Sequence, residues 1–420
     1  MTAFKFIHAA DIHLDSPLRG LSRYEGVPAE DVRIATRTAL GNLVDAAIEE
    51  QVAFLIIAGD LYDGDWPDFG TGLFFCAAMG RLEKAGIDVY LLYGNHDAES
   101  VLTRKLPLPA NVHVFGTRKP VTFVHDATGA ALHGWSYREK DTRDNLAAAY
   151  PAPLANRLNI GVLHTALGGR PPHAPYAPCT PQELVAKGYD YWALGHVHDF
   201  EVVSTTPLIV FPGNLQGRSI REVGRKGAVL VSVEDNRIGS QPQLLSLDAV
   251  RWARIEIDVA GIETEAQLNG RVREALQLAW SARAEGRPLM MRVMLSGRTD
   301  LHGDLAVRRD AFREDVRGIA VAISERLWIE KVLVRTEPPS ESQPSDPNLR
   351  DELSILLSQG IEDHDLATSL KVELAEFFAK TPPDLGADDE FLASVRQGDI
   401  GALLQEAASA VGARLTGDAG

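Results

Sequence analysis

Cysteine is nearly absent: the 420 residues hold only Cys76 and Cys179, far apart and in no metal-ligand spacing. That excludes a disulfide framework and a thiolate metal site, and it fits a reducing cytoplasm. Long apolar runs are also missing. None approaches the ~18 residues needed to cross a bilayer, so no membrane contact is expected. The opening FKFIHAADIHL does not read as a secretory signal, because it is short and is broken by His8 and Asp11. Positive charge is in deficit, with 42 Lys+Arg against 58 Asp+Glu and a net charge of −16. Taken whole, that argues against a nucleic-acid partner. Its distribution removes the objection. Asp346–Gly420 holds 15 acidic and 5 basic residues, so −10 of the charge sits there and −6 on the rest. Over Arg251–Arg335 the balance is 15 basic to 13 acidic, the basic residues nearly all arginine.

What is present is an ordinary globular composition, 45% hydrophobic and 24% charged, in a chain long enough for two or three domains. Residues 1–248 alternate short apolar runs with helical stretches. Phe4–Ala10, Ala53–Ala58, Ile87–Tyr93, Leu158–Leu163 and Tyr191–Leu194 read as strands, while Asp31–Gln51 and Phe69–Ala85 carry apolar residues at helical spacing. This predicts an α/β core. Over 249–336 the pattern restarts as a compact βαβαβ unit, with helices expected at Glu263–Ala284 and Asp304–Ile323. EPPSESQPSDPN marks a linker at 337–348. The region 349–420 reads as helical, with Leu366, Leu370, Leu374, Phe377 and Phe378 in one stripe.

Each of five buried runs ends in Asp, Asn or His. The residues delivered are Asp11 and His13, then Asp60 with Asp63, then Asn95, His96 and Asp97, then His164, then His196 and His198. Ligands of α/β sheets gather at the carboxyl ends of strands. The two-residue spacings of Asp11/His13 and His196/His198 point paired side chains one way on an extended chain. Glycines before Asp60, Asn95 and His196 allow turns out of the sheet. Seven of these residues offer two cations about four ligands each. A shared carboxylate, most naturally Asp60, would hold the cations ~3.5–4 Å apart, and a water between them would lose its proton near neutral pH and become the nucleophile. The mixed nitrogen and oxygen set suits Mn²⁺, Fe²⁺ or Zn²⁺ better than Mg²⁺.

In this order, DIH, GDLYD, GNHD, LH and GHVH resemble the signature of the calcineurin-like metallophosphoesterases. DIHLDSPLRGL, GDLYDGDW, RPPHAPYAPC, GYDYWALGHVHDFEVV and FPGNLQGRSIRE resemble the SbcD/YhaO-type DNA repair exonucleases within that family. The resemblance implies an α/β fold with two packed β-sheets flanked by helices in four layers (αββα), a small α/β cap and a helical C-terminal tail. It implies one metal on Asp11, His13, Asp60 and His198, a second on Asp60, Asn95, His164 and His196, and Mn²⁺ as the usual ion. His96 would sit beside the scissile phosphate, stabilising the transition state or protonating the leaving oxygen. Asp97 would orient His96, or else cap a helix over Ala98–Leu102. Asp63 stands where other branches carry histidine and reads as a supporting carboxylate.

His173 and Tyr176, in a Pro/Gly-rich loop, either overhang the metals or belong to a rigid structural loop. GNLQGRSIREVGRKG carries Arg218, Arg221, Arg225 and Lys226, which are either phosphate-backbone contacts or a solvated hairpin. The cap arginines Arg292, Arg308 and Arg309 are surface residues by default, with DNA contact the sharper reading. The implied activity is metal-dependent hydrolysis of DNA with an SMC-type ATPase partner of the SbcC or YhaN kind, which the 366–378 stripe would bind. A homodimer is a further family expectation. A phosphoesterase acting on a small phosphodiester or a phosphoprotein is the alternative. A non-enzymatic scaffold ranks last, because every ligand and His96 are present.

Overall fold

A computed structural model describes residues 3–16, 34–64, 69–99, 106–168, 176–239, 241–339, 363–381 and 390–401, with short pieces within 355–361 and 403–411. The chain divides into two compact units. Among the described residues, the first runs to Arg218 and resumes over Gly224–Arg251, and the second takes Ser219–Val223 and those from Trp252 onward.

In the first unit the predicted apolar runs form parallel strands Ala3–Ala9, Phe54–Ala58 and Asp88–Leu92, joined by Val112–Val114 on one side and antiparallel Gly227–Glu234 on the other. A second sheet is ordered 121–124, 131–134, 159–164, 191–195, 208–211, 201–205. Strands buried on both faces lose the polar/apolar alternation of a half-exposed strand, which is why these runs are continuously apolar. Residue parity still decides the partner. Ile7, Leu55, Ile57, Val89 and Leu91 face the helices Ala35–Glu49 and Phe69–Lys84. Phe6, Phe54, Ile56, Tyr90 and Leu92 face Ile160, Val162, Tyr191 and Ala193 of the second sheet. On that sheet's far side, Leu163, Trp192 and Leu194 pack on Leu146 and Leu184, residues of the short helices Leu146–Ala149 and Pro181–Ala186. The layering is αββα.

His8 is a polar exception on the inter-sheet face. Its ring is fully buried, 3.0 Å from the Tyr191 hydroxyl and 3.1 Å from the Leu194 carbonyl. Burial, against the weaker pull of the Leu194 carbonyl, pushes its pKa down to about 3, so the folded ring is neutral. An unfolded chain takes up that proton from about pH 6.5. The unfolded state therefore holds more protons below that pH, and stability falls as the pH drops through the window. We expect His8→Gln to flatten the loss of stability between about pH 6 and pH 4 by up to about 1.4 kcal/mol per pH unit, read by urea unfolding at stepped pH.

The second unit has a three-stranded sheet of Arg251–Asp258, Leu289–Arg298 and Leu327–Glu337, the last two parallel. Helices Glu265–Arg283 and Arg309–Ile323 bury Leu268, Val272, Leu276, Phe312, Val316 and Ile319 with Met291, Val293 and Leu295 of the sheet. The single helix predicted over Asp304–Ile323 is two, His302–Val307 and Arg309–Ile323, because the chain leaves helical geometry at Arg308. In the tail, His364–Ala379 is helical and capped by Asp363, and none of its residues is buried. Most of the predicted linker lies outside the described residues. Among the described residues no helix is long and apolar enough to cross a membrane.

Candidate metal centre

The predicted ligands converge, but not by the extended-chain geometry their spacing suggested. The opening strand ends at Ala9, and Asp11 and His13 both take left-handed backbone, with φ of 49° and 45°. Asp60 (φ 50°) and His196 (φ 104°) do likewise. Such conformations are unfavourable for residues with a Cβ, and clusters of them mark places where the surrounding structure forces a side chain into position. The glycines also act differently from the prediction. Gly59 does have positive φ (+100°), but Gly94 and Gly195 do not. These two are small for want of room: a Cβ on Gly94 would overlap the Asp60 carboxylate, and one on Gly195 would overlap the Ala58 carbonyl.

Three groups of donors result among the described residues. In the first, His13 Nε2 lies 3.3 Å from His198 Nε2, and Asp11 Oδ1 lies 4.0 Å and 3.8 Å from these two nitrogens. A circle through the three atoms has a radius of about 2.2 Å, the length of a first-row metal–ligand bond. Asp11 Oδ1 is buried and accepts no hydrogen bond, whereas its other oxygen takes the His196 amide at 2.9 Å. A buried carboxylate oxygen left in this state is costly unless a cation meets it. The residues present therefore fit a divalent metal. In the second group Asp60, His164 and His196 present donor atoms within 4.8 Å of one another. His164 Nε2 lies 3.0 Å from Asn95 Oδ1 and 3.4 Å from Asp60 Oδ2. The Ala58 carbonyl, 3.0 Å from His164 Nδ1, can only accept, so it leaves Nε2 to face the ligands. Asp60 Oδ1 accepts the His96 amide at 3.0 Å, which frees Oδ2 for the same centre.

The electrostatics fit that role. Burial pushes the Asp11 carboxyl up, whereas Asp60, equally buried, is held well below the usual carboxylate range by His164. Burial, with Arg218 nearby, pushes His13 down to about 3, which keeps an imidazole lone pair available. Burial would also lower His164, but Asp60 outweighs it and lifts the ring to about 9. Cation uptake at the second group must therefore displace a proton.

His96 is in neither of these two groups but in the third, with His13 and Asp63, and its partner is not Asp97. Its Nδ1 lies 3.0 Å from Asp63 Oδ1. Asp63 Oδ2 accepts from the Ser16 hydroxyl at 2.7 Å, and Arg218 Nη1 lies 3.5 Å away. Burial opposes the charged ring, yet the Asp63 hydrogen bond and the charges of Asp60 and Asp63 leave the His96 pKa raised. Asp97 is buried and turned the other way. It accepts from the Leu61, Tyr62 and Gly94 amides at 3.1, 2.9 and 3.0 Å, so it does not orient His96, and most of the helix predicted over Ala98–Leu102 lies outside the described residues. Asp97 lies inside the short helix Asn95–Glu99 and pins that helix to the Asp60 loop. Asp97→Ala should destabilise the metal-free protein by about 3–5 kcal/mol, because three buried amides lose their acceptor; urea unfolding measures it.

Tyr176 stacks edge-on against His196, ring centroids 5.6 Å apart, while His173 lies outside the described residues. Arg218 is brought to the centre, within 3.4 Å of Ser16 Oγ. Arg221 belongs to the second unit and is exposed there. Arg292 is not a surface arginine: it is buried in a two-pronged pair with Glu330, both bonds 2.7 Å. Ser16 and Tyr137, whose hydroxyl donates to the His164 carbonyl at 2.7 Å, escaped the sequence reading. The position of Ser16, three residues after His13 in DIHLDS, was the available signal.

Layered sheets with an imidazole–carboxylate cluster at their shared edge define a metal-dependent phosphoesterase, and comparison with known proteins agrees. The calcineurin-like phosphoesterase family matches residues 4–200, and the middle domain of the metallophosphoesterase YhaO matches residues 252–337. The uncharacterized metallophosphoesterase YhaO of Bacillus subtilis is 35% identical over 301 residues, 71% of this chain and 72% of that protein. The DNA double-strand break repair protein Mre11 of Methanopyrus kandleri is 27% identical over 300 residues, 64% of this chain and 62% of that protein. Its Haloferax volcanii namesake is 26% identical over 385 residues, 83% and 80% of the two chains. The chain belongs to the calcineurin-like metallophosphoesterases, in the YhaO family.

Proposed function

We propose that this phosphoesterase is a Mn²⁺-dependent DNA exonuclease of the cytoplasm, acting in DNA repair with an SMC-type ATPase. The observation that carries the reading is His96, an imidazole of raised pKa held by Asp63 at 3.0 Å and packed edge-on against His13, beside the two groups of ligands. Asp11, His13 and His198 would hold one cation, and Asp60, Asn95, His164 and His196 the other, with Asp60 shared. Together the cations would supply Lewis-acid neutralisation of the phosphate charge and acidify the attacking water. The chain's own part is positional. Asp63 fixes the His96 ring through Nδ1, so Nε2–H is the proton offered to the leaving oxygen. Arg218, behind Asp63, adds positive charge for a phosphodiester backbone.

Support for DNA as substrate comes from the similarity of this chain to DNA double-strand break repair proteins. Support for a partner comes from the tail helix His364–Ala379, whose Leu366 and Phe377 are exposed. The test is cleavage of linear duplex, single-stranded and closed circular DNA with Mn²⁺, alongside bis-p-nitrophenyl phosphate and a His96→Ser control. Degradation of linear DNA that His96→Ser abolishes is expected. Hydrolysis of the small ester with every DNA left intact, with or without the ATPase, would sink the nuclease reading.

A further inference from the structure

Lys226 is a buried cation that the chemistry above does not use. The sequence groups it with the arginines as either a phosphate contact or part of a solvated hairpin, but its side chain is only 4% exposed and fits neither. Its ammonium donates to the His198 carbonyl at 2.6 Å and to Asp199 Oδ1 at 2.9 Å. Its own backbone carbonyl is tied down by the Leu247 and Asp248 amides at 3.0 and 3.2 Å. The His198 carbonyl also accepts the Asn214 amide at 3.2 Å. Gly213 (φ +80°) lies so close that a Cβ there would sit 2.9 Å from that carbonyl. One residue past Asn214, the Leu215 amide reaches the Asp11 carbonyl at 3.4 Å.

Burying an ammonium costs several kcal/mol unless its partners compensate. The Asp199 side chain is 82% exposed, and ion pairs to such groups contribute little. The contact that justifies the burial is therefore the one to His198, whose Nε2 faces His13 Nε2 and Asp11 Oδ1. We infer that Lys226 is a positioning residue for the first cation: it clamps the His198 main chain so that the ring meets Asp11 and His13 at bonding distance. The inference rests on the metal-centre reading and adds a residue to it.

Titrating Mn²⁺ calorimetrically into metal-free protein tests it. The unaltered protein should bind two ions. Lys226→Met keeps the aliphatic stem and loses the donor; it should weaken one site by about 10–100-fold, the usual effect of removing a group that orients a ligand, and leave the other within about two-fold. Asp199→Asn should change neither. Lys226→Gln, with a shorter N–H donor, should fall between, and it carries the comparison if the methionine variant does not fold. Two unaltered affinities in a folded Lys226 variant would overturn the inference, as would an equal loss in Asp199→Asn, which would assign the effect to the surface ion pair. Absence of Mn²⁺ binding by the unaltered protein would instead bring down the metal centre itself.

Discussion

His96→Ser is expected to lower phosphodiester hydrolysis by about 10²–10⁴-fold while Mn²⁺ binding stays intact, the range for loss of a general acid. The separation follows from the geometry. His96 Nδ1 is engaged by Asp63 at 3.0 Å, its main-chain amide donates to Asp60, and its ring rests edge-on against His13 with centroids 5.2 Å apart. Removing the ring therefore takes a proton donor while leaving every donor of the Asp11/His13/His198 and Asp60/His164/His196 groups in the chain. The same geometry sets a pH signature. Asp63 helps to raise the His96 pKa, and the acid form is the reactive one, so the rate should fall as the pH rises through that pKa. In Asp63→Asn one of the two raising charges is gone, with Asp60 remaining, and the alkaline limb of the kcat profile should move to lower pH. A single-turnover assay with calorimetric Mn²⁺ titration checks both. Loss of metal together with activity in His96→Ser would reassign His96 as a ligand.

Asp60→Asn should have the larger consequence. One Asp60 oxygen accepts the His96 amide and the other faces His164. An amide can keep the first contact through its carbonyl, but its NH₂ cannot ligate a cation. We expect Mn²⁺ affinity at the second group to fall by more than about 100-fold, beyond the range for residues that merely orient ligands, and activity to become undetectable. A stability readout separates this from misfolding. A protein that binds cations only when folded melts at higher temperature as Mn²⁺ is added, by mass action. That shift should be largely lost in Asp60→Asn, whose metal-free melting should still be cooperative. An undiminished Mn²⁺-dependent shift in the variant would refute the ligand role of Asp60.

The fold was legible because its strands are buried on both faces. FLIIA and VYLL admit no polar position, so they stand out as core runs, and the helices between them show their own period. The ligands were legible for a related reason: a polar residue directly after such a run has few bland explanations, and five in succession have fewer. The roles of the carboxylates that support them were not. Asp63 and Asp97 each lie within a few residues of a ligand, and the resemblance left Asp97 either to orient His96 or to cap a helix. In the folded protein His96 meets the Asp63 loop, while Asp97 turns inward to the amides of residues 61, 62 and 94. Arg292 shows the same limit, since nothing in LMMRVML reveals that Glu330 waits on the neighbouring strand.

By itself the sequence determined an α/β core and the run of candidate ligands at strand ends, while the four-layer pattern and a role for His96 outside the ligand set were what the family resemblance implied. The first two depend on residue type and on short-range periodicity, which any chain segment carries with it. Only the tertiary structure decided how the ligands converge, through left-handed residues at 11, 13, 60 and 196, and which buried groups hold them. Asp63 meeting His96 and Lys226 meeting His198 are contacts between residues 33 and 28 positions apart. Hydrogen bonds of that kind are selected by distance and burial after the sheets have packed, and no local pattern encodes them.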